Sequence, residues 1–237
     1  MPFPFRHRQP AHPASPLTGP RAACLVFVCV FLARAAGAQT SVDLSLVSEY
    51  TMRGLSLGPH PALQLRVDHD TDDGWYGGAF ASPVTLYGHE QGQLIVYGGR
   101  ARALSPGLSW DAGVSRTSFS RFGRYDYHEF YAGLTRDATS VRLSYSPAYY
   151  DAGRTAYLEL NGGVALGERA ALALHGGVLH GFDAHGVEAR HRADLRAAVA
   201  VDLDDWCVQA GVQALVHGAG SDLPRARAVF AGASLRF

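Results

Sequence analysis

The sequence predicts an all-β fold: a transmembrane, antiparallel, up-and-down β-barrel of about 12 strands, within a range of roughly 10 to 14. Three observations predict it. Apolar and polar residues alternate with period two in stretch after stretch. The connectors between those stretches are alternately short and long. The first 38 residues have the pattern of an export leader.

The leader comes first. Residues 1–38 hold Arg6, Arg8, Arg21 and Arg34 and no acid. "AACLVFVCVFLA" (Ala22–Ala33) is apolar throughout, and the small-x-small "AGA" (Ala36–Ala38) places cleavage between Ala38 and Gln39. The apolar run falls short of the roughly 20 residues of a spanning helix. A basic start, a short apolar core and a small-residue end read as a secretory signal. What remains, 39–237, has no linker or break in composition and reads as one domain. The leader removes four of the 21 basic residues and none of the 21 acidic ones, so the exported chain is near −4. No basic tract survives, which excludes nucleic acid as a partner. Cys207 is the sole cysteine after the leader, so no internal disulfide can form.

The strands follow in order. Val42, Leu44, Leu46, Tyr50 and Met52 alternate with Asp43, Ser45, Glu49, Thr51 and Arg53. Leu63, Leu65 and Val67 alternate with Gln64, Arg66 and Asp68; "GWYGGAFASPV" (Gly74–Val84) and "QLIVYGGRA" (Gln93–Ala101) come next. Then come "LSWDAGVSRT" (Leu108–Thr117), "YHEFYAGL" (Tyr127–Leu134), "VRLSYSP" (Val141–Pro147) and "AYLELNGG" (Ala156–Gly163). The last four are "ALALHGGVLH" (Ala171–His180), "DLRAAVAVDL" (Asp194–Leu203), "WCVQAGVQALV" (Trp206–Val216) and "RAVFAGASLRF" (Arg227–Phe237).

Connectors 69–74, 102–107, 136–140, 165–169 and 202–205 are short. Those at 54–60, 84–92, 118–126, 148–154, 181–193 and 217–226 are longer. Short turns at one end and long loops at the other is the layout of an outer-membrane barrel. A soluble sandwich also alternates, but it fills its core with bulky side chains. Here one face carries Ala, Val and Leu, and the other carries charged and amide side chains, which suits lipid outside and a wet lumen inside. Backbone groups in hydrocarbon must all be paired, so such a sheet closes on itself. Alternation to the last residue, Phe237, reads as a signal for the outer-membrane assembly machinery.

The polar face supplies the candidate lumen residues: Glu49, Thr51, Arg53, Arg66, Asp111, Glu129, Tyr131, Arg142, Tyr157, Glu159, Asn161, Arg196, Gln209 and Gln213. They imply a polar channel for small solutes or ions. The rival is a structural or surface barrel whose charged pairs fill a narrow interior. Trp75, Tyr76, Tyr87, Trp110, Tyr145, Tyr149, Tyr150 and Trp206 fall near strand ends and read as interfacial girdles. His180, His185 and His191 lie around one long connector, but their spacing fits no zinc pattern. His175 with Ser144 or Ser146 raises a lipid hydrolase as a third class, yet no Gly-x-Ser-x-Gly elbow occurs. We expect no enzyme activity, metal or cofactor. The expected partners are outer-membrane lipid, the assembly machinery and small polar solutes, in a Gram-negative outer membrane.

Several segments resemble one family. "LVSEYTMRGLS" is similar to the first-strand motif "LVSDYxFRGIS" of the TorF-like porins. "PALQ" (Pro61–Gln64), "GWYGGAFASPV", "QLIVYGG", "YDYHEFYAGL" (Tyr125–Leu134) and "YLELNGG" (Tyr157–Gly163) resemble later segments of that family in the same order. The chain departs from it at Leu57, at Gln91 and Gln93, and in connector 181–193. The resemblance implies an outer-membrane barrel, and the period shared with the other strands places Glu49 and Arg53 in the lumen, near the outer end of the first strand. Tyr50 and Met52 would then face lipid.

Overall fold

A strand that alternates apolar and polar residues has one face for lipid and one for water, and the wall of this molecule repeats that pattern twelve times. The computed structural model describes residues 39–58, 60–183, 185–216 and 227–237. The expected leader, Ala38 of its cleavage point and connector 217–226 lie outside them.

The strands are β1 (Gln39–Val47), β2 (Tyr50–Met52), β3 (Leu55–Gly58), β4 (Ala62–Asp70), β5 (Trp75–Leu86), β6 (His89–Ser105) and β7 (Leu108–Phe119). They continue as β8 (Tyr127–Arg136), β9 (Thr139–Ser146), β10 (Thr155–Ala165), β11 (Ala170–Gly181), β12 (Arg192–Leu203), β13 (Trp206–Val216) and β14 (Arg227–Arg236). All except β2 and β3 form one closed antiparallel barrel, sealed by β1 pairing with both β4 and β14. Leu63, Leu94, Leu143, Leu158, Leu160 and Val212 are among the large apolar side chains exposed on the outside. Their neighbours in sequence, such as Gln64, Gln93, Arg142 and Glu159, are buried on the inside. Phe237 extends the closure, exchanging two backbone bonds with Val42 of β1.

The expected first strand needs correction. The wall strand stops at Val47 and the chain turns inward. Ser48 stays tied to β14, donating its N–H to the Ala231 carbonyl and accepting the Ala231 N–H on Oγ. Beyond it, β2 and β3 make a separate two-stranded sheet. Its tip is Arg53–Gly54, with φ of 49° and 76°, the positive pair that a two-residue type I′ turn requires. Tyr50 and Met52 therefore do not face lipid; they are only 1% and 6% exposed, inside the barrel.

Connector 84–92 is also not a long loop. β5 and β6 run on to pair Leu86 with His89, and the turn is Tyr87–Gly88, again with both φ positive. Three of the other long connectors carry single 3-10 turns, at Gly123–Tyr125, Tyr149–Asp151 and Val187–Ala189. At the opposite end, two residues suffice between β6 and β7, between β8 and β9, and between β12 and β13.

The apolar core sits inside the loop end of the barrel. Tyr50, Met52 and Leu57 of the hairpin meet Phe80, Val84, Leu86, Ile95, Phe119, Tyr127 and Leu179 of the wall. Tyr149 and Tyr150 complete it from the β9–β10 connector, their rings 4.7 and 4.9 Å from that of Tyr127. The girdle assignment of these two tyrosines is thus corrected: as the 3-10 turn folds inward it carries both rings into the lumen, where they are buried. Tyr76 also faces inward, bonded to Asp111 and Tyr131. Trp75, Tyr87, Tyr145 and Trp206 remain exposed.

Candidate functional site

The hairpin crosses the lumen, and its side chains fix where it rests. Tyr50 Oη donates to Gln93 Oε1 of β6 at 2.9 Å. Thr51 Oγ1 donates to Gln213 Oε1 of β13 at 2.7 Å. Arg53 reaches Glu129 of β8 with both terminal nitrogens, at 2.7 and 3.0 Å. Arg192 of β12 donates from Nε to the Arg53 carbonyl at 2.8 Å. The Arg53 guanidinium also lies over the rings of Tyr157 (4.4 Å) and Tyr149 (5.2 Å). Strands β6 and β8 stand on one side of the ring and the neighbours β12 and β13 on the other, so one short hairpin braces the interior across its width.

Beside the tip lies a cavity of about 100 Å³ of water-sized space. Glu49, Glu129, Glu159 and Asp194 line it together with Arg53, Arg66, Arg142, Arg196 and His175. It has room for a few waters, given a share of about 30 Å³ each. Its charges are arranged in pairs and small networks. Arg142 meets Asp111 at 2.9 Å. His175 Nε2 is 2.9 Å from Asp194 Oδ1 and its Nδ1 is 2.7 Å from Asn161 Oδ1, while Tyr157 Oη donates to Asp194 Oδ2 at 3.1 Å. Arg196 donates to Gln209 and lies 3.8 Å from the centre of the Phe230 ring.

Thr51 and Arg53 thus sit on the internal hairpin, and Glu49 at its base, and not on the wall. Arg66, Glu129, Tyr131, Arg142, Tyr157, Glu159, Arg196 and Gln213 line the cavity from the wall. Asp111, Asn161 and Gln209 face inward through their bonds to Arg142, His175 and Arg196. Sequence reasoning missed Asp194 and Arg192 as interior groups, whereas Gln93, read as a lumen position, is buried inside. Asp194 and Arg192 share the parity of Arg196, so extending the β12 period by two steps would have found them. The three histidines separate: the rings of His180, at the end of β11, and His191 lie 4.4 Å apart and tilted, whereas His185 bonds to the carbonyls of Asp151 and Asp183. Among the described residues no group of three or more His, Cys, Asp or Glu is placed to hold a metal.

A family described as bacterial protein of unknown function (Gcw_chp) matches residues 33–213. The chain belongs to that family. No curated protein matches the sequence. Among solved structures, the KdgM porin is similar with a TM-score of 0.57 at 14% identity, over 83% of this chain and 99% of that one. The NanC porin is similar with a TM-score of 0.57 at 13% identity, over 82% and 98%. The KdgM porin in complex with disordered oligogalacturonate gives 0.53 at 14% identity, over 83% and 99%. At these identities the likeness shows the fold, a closed barrel of the kind these porins have.

Proposed function

We propose that this member of the Gcw_chp family is a narrow outer-membrane channel, allied to the TorF-like porins, for passive diffusion of small polar solutes or ions. The observation that carries the reading is the contrast between the two faces of the wall. Leucine and valine cover the outside, while ionisable side chains surround a water-sized space inside. In this reading residues 1–38 direct export, the short turns face the periplasm, and the assembly machinery recognises the strand ending at Phe237.

The choice of solute follows from the charge. KdgM has been solved with oligogalacturonate, a polyanion. Here four carboxylates share the cavity with four arginines, so a long anion would meet repulsion beside every attraction. Small neutral, zwitterionic or singly charged solutes suit such a lining better.

A second reading is a non-conducting barrel. It is favoured by the hairpin and the aromatic cluster, which fill the loop half of the lumen. A lipid hydrolase has less support, because the ring nitrogens of His175 are engaged by Asn161 Oδ1 on one side and by Asp194 Oδ1 and Tyr157 Oη on the other. A base must stand within hydrogen-bond reach of its nucleophile.

Planar bilayers decide between channel and closed barrel. The test uses the purified, folded protein and a variant in which residues 49–57 are replaced by a short Gly-Ser link. We expect conductance steps, larger in the shortened form. Folded preparations of both that give no steps would overturn the channel reading.

A further inference from the structure

We infer that the β2–β3 hairpin is a hinged plug, held shut by a latch between Arg53 and Glu129. The inference rests on the channel reading above and specifies how that channel is regulated.

Three features make the hairpin an arm and not part of the wall. Among the described residues its backbone ladder is internal, pairing β2 with β3 and neither with a barrel strand. Its base is fixed, since Ser48 exchanges two hydrogen bonds with Ala231. Its hold on the wall runs through side chains: the apolar packing of Tyr50, Met52 and Leu57, and four polar contacts, Tyr50 to Gln93, Thr51 to Gln213, Arg53 to Glu129, and Arg192 to the Arg53 carbonyl. Such bonds can be exchanged for water without breaking any ladder of the barrel. A closed sheet can therefore stay intact while the arm moves.

The latch sits at the tip, where leverage is greatest. The Arg53–Glu129 contact is bidentate, which makes it the strongest of the four, because both partners are ionised and both oxygens are used. It also borders the cavity, so water or a small ion can reach it and replace either partner. The tip is seated closely. A Cβ added at Gly54 would lie 2.5 Å from Leu215 Cδ1 and 3.0 Å from Asp194 Cβ. The arm thus has one well-fitted closed position, and losing the latch releases it.

Single-channel recording on the folded protein tests this with Glu129→Gln, Arg53→Met and the 49–57 replacement. Glu129→Gln keeps the shape of the side chain and removes its charge. We expect it to raise the open fraction about tenfold or more, the factor that corresponds to losing one charge-assisted hydrogen bond. Arg53→Met should do the same, and the replacement should be open throughout. Altered migration of unheated samples in detergent gels would verify that each variant is folded. If the replacement conducts while both point variants gate like the parent, the latch is wrong and the channel reading stands. If the parent and the replacement are both silent, the channel reading itself fails.

Discussion

Asp111 on β7 and Arg142 on β9 meet over Gly133 of the strand between them, 2.9 Å apart, with side chains only 1% and 7% exposed. The glycine makes the meeting possible, because a Cβ there would lie 2.6 Å from Asp111 Oδ1. Tyr76 adds a hydrogen bond to the same carboxylate, and the Tyr131 ring lies 4.6 Å from the guanidinium. Removing one partner of a buried pair leaves the other charge without compensation. We expect Asp111→Ala or Arg142→Ala to cost about 3–5 kcal/mol, and the apolar pair Asp111→Leu with Arg142→Met to recover most of it. Urea unfolding of the barrel in lipid vesicles reads all of these. Equal losses for the double and single variants would show that packing, and not charge, holds this site.

A second expectation concerns glycines that seat tyrosine rings against the wall. A Cβ at Gly177 would lie 1.9 Å from Tyr157 Oη, at Gly113 2.5 Å from Tyr131 Oη, and at Gly99 2.6 Å from Tyr76 Oη. Gly177→Ala must push the Tyr157 ring away, and that ring carries the Arg53 guanidinium. Overpacking of this kind costs about 1–3 kcal/mol. In a Tyr157→Ala background the same substitution should cost almost nothing, giving a large coupling in the double-mutant cycle. Additive effects would mean that the ring does not use this seat.

The wall was legible in the sequence because an apolar outside and a polar inside impose a period of two on every strand. The inward position of Arg66, Glu129, Arg142 and Gln213 follows from that parity alone. The hairpin was not legible, because its residues keep the same alternation: Tyr50 and Met52 read like wall residues whether their apolar face meets lipid or an internal core. Its signal was Arg53–Gly54, a residue followed by glycine between alternating apolar positions. Tyr87–Gly88 has the same form, inside the span 84–92 that the sequence presents as a long connector. Neither arginine nor tyrosine is a usual first residue of a type I′ turn, so both turns were missed. Contacts such as Asp111 to Arg142 depend on the register of three strands, which no single strand encodes. For Tyr149 and Tyr150, position near a strand end is common to a girdle and to a loop that folds inward.

The exposed apolar face, which the channel reading turns to lipid, gives a third expectation. On β9, Thr139, Val141, Leu143 and Tyr145 all point outward. Leu143 lies mid-strand and is 51% exposed, whereas Thr139 borders the two-residue turn to β8. Arginine at the middle of the bilayer costs about 2–4 kcal/mol and near its edge about 0–1 kcal/mol. Leu143→Arg should therefore destabilise the barrel in vesicles far more than Thr139→Arg. In detergent, which offers no fixed hydrophobic thickness, the difference should shrink. Equal effects in vesicles would contradict a membrane-facing wall.

The connectors β9–β10 and β11–β12 are clasped together, and the clasp depends on pH at both ends. Asp183 accepts the Arg154 backbone N–H at 2.6 Å and its Nε–H at 3.0 Å, which holds the carboxyl below its ordinary value. His185 stands between the carbonyls of Asp151 (2.8 Å) and Asp183 (3.3 Å), and these acceptors raise its pKa above 6.5. A raised histidine contributes fully below its unfolded value, and its contribution is lost as pH rises through the folded one. A lowered carboxylate contributes above its unfolded value, and is lost as pH falls through the folded one. The clasp is therefore complete between about pH 4 and pH 6.5, the ordinary values for the two groups. Amide exchange in residues 182–191 should be slowest in that window and should quicken on either side, after correction for the intrinsic pH dependence of exchange. Asp183→Asn should remove the acid limb and His185→Ala the alkaline limb. Protection that stays flat across the whole range in the parent would refute the clasp.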